Sequence, residues 1–239
     1  VTKSQLFINI DDNNLKEMAR QRGLIEDSIR YSMNGDENAV INGRLSSCDP
    51  YIVFTYTETN EAGCKVDSEK IRTCLIGSYN MANLLAAVCV GRHFGVTAAQ
   101  IKQALEHYIP NNDRSELRLT ACNRLIIDAY NANPSSMAAA LQNFRQMRGE
   151  HKMVILGDMR ELGAASEEEH RKIVDFLSKS NFETVWLVGD LFKKVNRSFR
   201  TFSNVDEVKT VLRHSPVKGK LILIKGSNSG KLFQLSDIL

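Results

Sequence analysis

The second half of the chain alternates short, uninterrupted apolar runs with segments of helical spacing. The runs are Leu125-Ile126-Ile127, Met153-Val154-Ile155-Leu156, Val185-Trp186-Leu187-Val188 and Leu221-Ile222-Leu223-Ile224. A continuous apolar run, rather than strict alternation, marks a strand covered on both faces. Between the runs, Met137, Leu141 and Phe144 recur at helical spacing. Ser166 and Glu169 stand at capping-box spacing and open a second helix, with Ile173 and Phe176 or Leu177 on its inner face. A third helix covers about 205–212. This rhythm implies right-handed crossovers and a doubly wound, Rossmann-like parallel sheet.

The first half is less regular. It opens on the strand Leu6-Phe7-Ile8-Asn9-Ile10 and a polar helix near 14–22. The β-branched and aromatic run Tyr51-Ile52-Val53-Phe54-Thr55-Tyr56-Thr57 is its clearest further strand. Asn60-Glu61-Ala62-Gly63 reads as the turn after it. Two helices close the region. One runs from about 79 to 93. The other opens at Thr97, with Gln100 three residues on, and carries Ile101, Leu105 and Tyr108 on its inner face. Pro110-Asn111-Asn112-Asp113 then breaks the pattern and sets the expected boundary between residues 1–110 and 111–239.

Composition adds limits. The 239 residues are 43% hydrophobic and 25% charged, which is ordinary for a globular chain. A net charge of +3 with scattered basic residues gives no reason to expect nucleic acid as a partner. No apolar run reaches the roughly 20 residues of a membrane span. Five cysteines at wide spacings form no CxxC pair, and Cys74 and Cys89 read as small core residues. A reducing, cytoplasmic compartment fits that usage. The histidines show neither HxxxH nor HxH spacing, so no metal site is expected. No Gly-x-Ser-x-Gly elbow anchors a hydrolase triad. Val1, without Met and almost directly before a strand, reads as a cut inside a larger protein.

In doubly wound sheets, ligands meet the loops at the carboxyl ends of the strands. Here those ends read Asp128-Ala129-Tyr130-Asn131-Ala132-Asn133-Pro134, Gly157-Asp158-Met159-Arg160-Glu161-Leu162-Gly163, Gly189-Asp190 and Lys225-Gly226-Ser227-Asn228-Ser229-Gly230. Such residues are also ordinary turn formers, but four polar ends at one edge point to a ligand-facing surface. The string from Gly226 to Lys231 is one residue short of a phosphate loop and lacks the hydroxyl residue after Lys231. Lys225 and Ser227 still offer a cation and a donor to an anion, with the N-terminus of a following helix expected to help. Asn80 and Asn83, one helical turn apart, suit the edge of an adenine; capping plus one buried Asn is the alternative. Arg114 sits at the expected hinge, either in a surface salt bridge or as a phosphate contact.

Taken in order, several strings resemble the Mur ligases of peptidoglycan synthesis. They are Asn9-Ile10-Asp11-Asp12, Gly77-x-Tyr79-Asn80-x-x-Asn83-x-x-Ala86-Ala87, Arg114-Ser115-Glu116, Asp128-Ala129-Tyr130-Asn131-Ala132-Asn133-Pro134-x-Ser136-Met137, Gly157-Asp158-Met159-x-Glu161-Leu162-Gly163 and Lys225-Gly226-Ser227. The resemblance spans nearly the whole chain. It implies that residues 1–110 are the truncated tail of an α/β ATP-binding central domain. Residues 111–239 would then be the Rossmann-like C-terminal domain. The family's phosphate loop, Mg²⁺-binding glutamate region and carbamylated lysine are not among these residues.

The Tyr-Asn-Ala-Asn-Pro and Gly-Asp-Met-x-Glu-Leu-Gly strings look most like members that join a UDP-N-acetylmuramoyl-tripeptide to D-alanyl-D-alanine. The implied reaction uses ATP and Mg²⁺. The tripeptide carboxylate attacks the γ-phosphate to give an acyl phosphate. The dipeptide amine then attacks that carbonyl, and phosphate leaves. By resemblance, Asn80 and Asn83 read adenine, Arg114 approaches the phosphates and Asp128 accepts from the ribose hydroxyls. Asn131, Asn133, Lys225 and Ser227 line the face near ATP or the dipeptide. No residue of this chain is expected to be catalytic in its own right, and a monomer is expected. The sequence departs from the family at Tyr79, where His is common, and at Ile127-Asp128, where two acids often stand. The alternatives are another ligase of the superfamily, such as a folylpolyglutamate synthase, and a non-catalytic nucleotide- or peptide-binding domain.

Overall fold

The structure, a computed structural model, describes residues 5–60, 62–110 and 114–239. Its contacts divide into two compact units, Val1–Ile109 and Pro110–Leu239. Asn111, Asn112 and Asp113 of the expected boundary, and Glu61 of the expected turn, lie outside the described residues.

The first unit is a six-stranded mixed sheet with helices against it. Its strands are β1 (Phe7–Asn9), β2 (Ile29–Ser32), β3 (Ile41–Cys48), β4 (Tyr51–Thr59), β5 (Lys65–Asp67) and β6 (Ile71–Ile76). They lie in the order β1-β2-β3-β4-β5, with β6 also pairing β4. The parallel pairs β1/β2 and β2/β3 give way to antiparallel pairing from β3 onward. Asp12 caps α1 (Asn13–Gln21) by accepting from the Asn14 and Leu15 amides. Ile41, Ile52, Phe54 and Ile71 of the sheet bury against Leu84, Leu85 and Val88 of α2 (Met81–His93) and Ile101 of α3 (Ala98–His107). Truncating one such Leu typically costs about 2–5 kcal/mol.

Thr97 and Gln100 form the expected capping box at the start of α3. Two expectations fail nearby. Tyr79 lies in a 3-10 turn, Ser78–Asn80, and α2 proper starts at Met81. Tyr108 is not on the inner face; it is the extended C-cap residue of α3 and is half exposed, because the helix has already ended.

The second unit is a six-stranded sheet in the order β11-β10-β9-β12-β8-β7. The ranges are β7 (Glu116–Leu119), β8 (Arg124–Asp128), β9 (Lys152–Gly157), β10 (Thr184–Val188), β11 (Arg200–Phe202) and β12 (Leu221–Lys225). All neighbours are parallel except β7, which runs antiparallel to β8 at the edge. The four apolar runs are therefore the four inner strands, and each is buried along its length. The crossover helices are α4 (Pro134–Gln146), α5 (Ser166–Ser178), α6 (Asp190–Val195) and α7 (Val205–His214). The chain steps outward from β8 to β11 and then returns to insert β12 between β8 and β9. Right-handed crossovers put α4, α5 and α6 on one face and α7 on the other. Accordingly, Val205, Val208 and Leu212 of α7 pack with Leu125, Ile127, Met153, Ile155, Ile222 and Ile224.

The expected capping box at Ser166 is absent. The chain enters α5 from a 3-10 turn, Gly163–Ala165, so its N-cap, Ala165, is already helical and no side chain caps it. Glu169 pairs with Lys172 instead.

Candidate functional site

Inserting β12 beside β8 brings two sequence-distant charges into register, with Lys225 opposite Asp128. The Lys225 ammonium donates to the Asp128 carboxylate at 2.6 Å, and only 1% of the lysine side chain is exposed. It also donates to the Asn131 carbonyl at 3.3 Å. The lysine stem thus runs among the apolar strands while its head is neutralised at the carboxyl edge. Such a pair fixes geometry, since either partner alone would be a buried charge.

The loop after β8 is tied down at both ends. Asn133 caps α4, accepting from the Ser136 amide at 2.8 Å, with Pro134 at the first helical position. The Tyr130 carbonyl accepts from the Asn228 amide at 3.0 Å, which joins this loop to the one after β12. The Arg114 guanidinium stacks over the Tyr130 ring at 4.0 Å. Gly226 and Gly157 sit back to back, and a Cβ on Gly226 would come within 3.3 Å of the Gly157 backbone. The segment after Ser227 forms two 3-10 turns joined at Lys231, which is left-handed. Only a three-residue 3-10 turn, with Ser227 at its N-cap position, follows Lys225, in place of the expected helix N-terminus. The short spacing between the glycines closes a turn instead.

The loop after β9 is built around Asp158. Its two carboxylate oxygens accept from the Leu191 amide at 3.0 Å and the Phe192 amide at 2.9 Å, at the start of α6. Gly189, at φ +119°, makes room: a Cβ there would lie 2.2 Å from the Asp158 carboxylate. A small cleft of about 200 Å³ is bordered by Tyr130, Asn131, Ala132, Arg160, Glu161, Ser227, Asn228 and Ser229. A second, of about 280 Å³, lies between Asp158, Arg160, Ser203, Asp206 and Lys231. A larger hollow of about 710 Å³ opens on the same edge, between Asp158, Arg160, Glu161, Asp190 and Ser203. Two others, away from this edge, hold the ion pairs Lys102–Glu106 and His151–Glu183. The carboxyl edge has the more versatile chemistry.

The six candidates of the second unit therefore gather at one edge by different means. Asp128 and Lys225 pair directly, Asn131 joins them through its carbonyl, Ser227 borders the cleft, Arg114 rests on Tyr130 and Asn133 holds a helix start. Asn80 and Asn83 belong to the first unit. Asn83 donates to the Asn80 side-chain carbonyl at 3.1 Å, and Asn80 donates to the Ile76 carbonyl at 2.8 Å. Sequence reasoning missed Tyr130 as the support of Arg114, and Asp158 as the anchor of α6. Only the helix-capping preference of Asp gave a signal for the second. Among the described residues, no three His, Cys, Asp or Glu groups converge as a metal cage.

Residues 113–228 match the family described as Mur ligase, glutamate ligase domain. The chain is 31% identical over 264 aligned residues to the UDP-N-acetylmuramoyl-tripeptide–D-alanyl-D-alanine ligase of Bacillus subtilis (strain 168), covering 96% of this chain and 57% of that one. The chain belongs to the Mur ligase family. The same-named ligase of Treponema pallidum (strain Nichols) is 30% identical over 178 residues, covering 71% of this chain and 39% of that one. This chain thus spans about two fifths to somewhat over half the length of these two relatives. A MurF ligase from Thermotoga maritima, solved in complex with ADP, matches with a TM-score of 0.75 over 97% of this chain and 52% of that one. At 15% identity, that likeness is one of fold. Arg114, Asp128, Asn131, Asn133, Lys225 and Ser227 all fall within the matched Mur ligase segment; Asn80 and Asn83 precede it. Among the described residues, no helix of this Mur ligase chain is long and apolar enough to cross a membrane.

Proposed function

We propose that this chain supplies the ligand-handling carboxyl edge of an ATP-dependent ligase that joins a UDP-N-acetylmuramoyl-tripeptide to D-alanyl-D-alanine. The supporting observation is the buried Lys225–Asp128 pair, set beside a cleft with Ser227 on its rim. The two named relatives carry this activity in their names, and one solved relative holds ADP.

In this reading, Asp128, oriented by Lys225, accepts from the ribose hydroxyls of ATP. Arg114 leaves or keeps its stack on Tyr130 to meet phosphate charge. Asn80 and Asn83 present donor and acceptor to adenine. Asn131 and Ser227 hold the dipeptide, and Asn133 acts chiefly by fixing the start of α4. Catalysis of acyl transfer through a phosphate is mostly alignment and charge neutralisation, which a rigid edge of this kind provides. The reaction also requires Mg²⁺, with its ligands mostly outside this chain. The reading carries with it a cytoplasmic, monomeric enzyme.

The test uses the full-length product of the gene that encodes this chain. Phosphate release from ATP is expected to need both the UDP-linked tripeptide and D-alanyl-D-alanine. Release that continues when the dipeptide is omitted, or that follows glutamate and a folate instead, would overturn the assignment.

A further inference from the structure

Behind the edge just described lies a histidine that none of these steps uses. His170, on α5, is fully buried. Its Nδ1 stands 2.7 Å from the Ser166 carbonyl, which can only accept, so Nδ1 carries the proton. Its Nε2 accepts from the Met159 amide at 3.0 Å. The ring meets Phe192 of α6 edge-on, with centroids 4.7 Å apart at 77°. Asp158 is the charged group that faces it, 3.8 Å from Nε2, and that carboxylate is already held by the two α6 amides. The segment 157–163 is thereby fastened twice. Asp158 ties it to α6, and His170 ties the next residue to α5. Arg160 and Glu161 follow at once, Glu161 in the left-handed region at φ 65°, and both border the cleft shared with Ser227.

We propose that His170, as its Nδ1–H tautomer, is a positioning residue that acts through the Met159 amide to aim Arg160 and Glu161 at the incoming amine substrate. The inference rests on the ligase reading of this edge. A neighbouring cation and anion are complementary to the carboxylate and ammonium of a short peptide. The imidazole suits the task because it accepts on one side and donates on the other from a fixed ring. An apolar residue of similar size would fill the space and leave the Met159 N–H and the Ser166 carbonyl without these partners.

Two measurements test it. On the 239-residue chain at about pH 8, where an ordinary imidazole is neutral, a long-range ¹⁵N–¹H spectrum should show His170 protonated at Nδ1. Free histidine in water favours the other tautomer. A His170 protonated at Nε2 overturns the proposal. In the full-length gene product, His170→Leu should raise KM for D-alanyl-D-alanine about tenfold while leaving KM for ATP within about twofold. His170→Gln, which keeps an acceptor and a donor, should restore most of the loss. An unchanged dipeptide KM in the Leu variant overturns the proposal. So does an equal fall in all parameters that Gln does not rescue, since that marks a role confined to stability. Should the Leu variant not fold, the tautomer and the Gln variant still decide. Wild-type activity separates the two claims: if it is absent, the ligase reading fails, and the spectrum alone decides whether His170 holds the segment.

Discussion

A lysine sealed at the end of a strand is tolerable only while its counter-ion stays. Asp128→Ala would leave the Lys225 ammonium buried without its charge partner, and the expected loss is about 3–5 kcal/mol by urea denaturation. The double variant Asp128→Asn with Lys225→Met removes both charges and should be more stable than Asp128→Ala alone. A single-variant loss below about 1 kcal/mol would mean that water reaches the pair. Cys89 makes a different point. Burial against the first unit's core pushes its thiol up from 9.0 to about 11. The unfolded chain therefore gives up this proton first. The contribution to stability is complete below pH 9 and is lost as pH rises toward 11. Thermal melts across that window should fall less steeply for Cys89→Ala. A maleimide at neutral pH should label the exposed Cys64 and Cys122 before Cys89.

Single elements depend on their first turns. Thr97→Ala removes the hydroxyl that accepts from the Gln100 amide at the start of α3, while the residue-97 amide still donates to the Gln100 side chain; Asn133→Ala removes the cap of α4. Each should cost about 1 kcal/mol in chemical denaturation. Gly189→Ala should cost more than either, because it combines a strained φ with a clash against the Asp158 carboxylate that caps α6. Equal effects of Gly189→Ala and Asn133→Ala would show that α6 does not depend on Asp158. The helix starts also separate what was legible from what was not. The Thr97 box lies within four residues and was readable. Ser166 has the same spacing and forms no box, because the turn before it delivers the chain already helical. The cap of α6 comes from Asp158, 33 residues before Leu191, and no local pattern reports it.

For the molecule as a whole, the proposed reaction needs a phosphate loop and metal ligands. This chain's sequence has no Gly-x-x-x-x-Gly-Lys-Ser/Thr loop, and its described residues form no metal cage. The 239-residue chain with ATP, Mg²⁺, UDP-linked tripeptide and D-alanyl-D-alanine should release phosphate no faster than a no-protein blank. Release well above that blank would mean that the edge of the parallel sheet suffices for turnover.

In the second half, the sequence alone determined which long segments extend and which coil. Four apolar runs long enough to be buried on both faces could only be inner strands, and helical spacing filled the gaps between them. It also showed that polar residues cluster at the carboxyl ends. In the second unit, the short strands β7 and β11 and the small helix α6 escaped, since three to six residues carry too little periodicity to register. In the first unit β2, β3, β5 and β6 were not placed either; β3 is eight residues long, but its polar stretch Gly43-Arg44-Leu45-Ser46-Ser47 gives no strand pattern. Tertiary structure decided the rest. Period-two patterning says which face a residue takes, not which strand lies beside it. The return of β12 between β8 and β9 therefore could not be read, nor could the meeting of Lys225 with Asp128. The role of His170 likewise had no local signal, because it depends on packing that closes the loop after β9 onto α5. Contacts of this kind form only when segments distant in sequence are brought into register, and their energy resides in the assembled sheet, not in any stretch of chain.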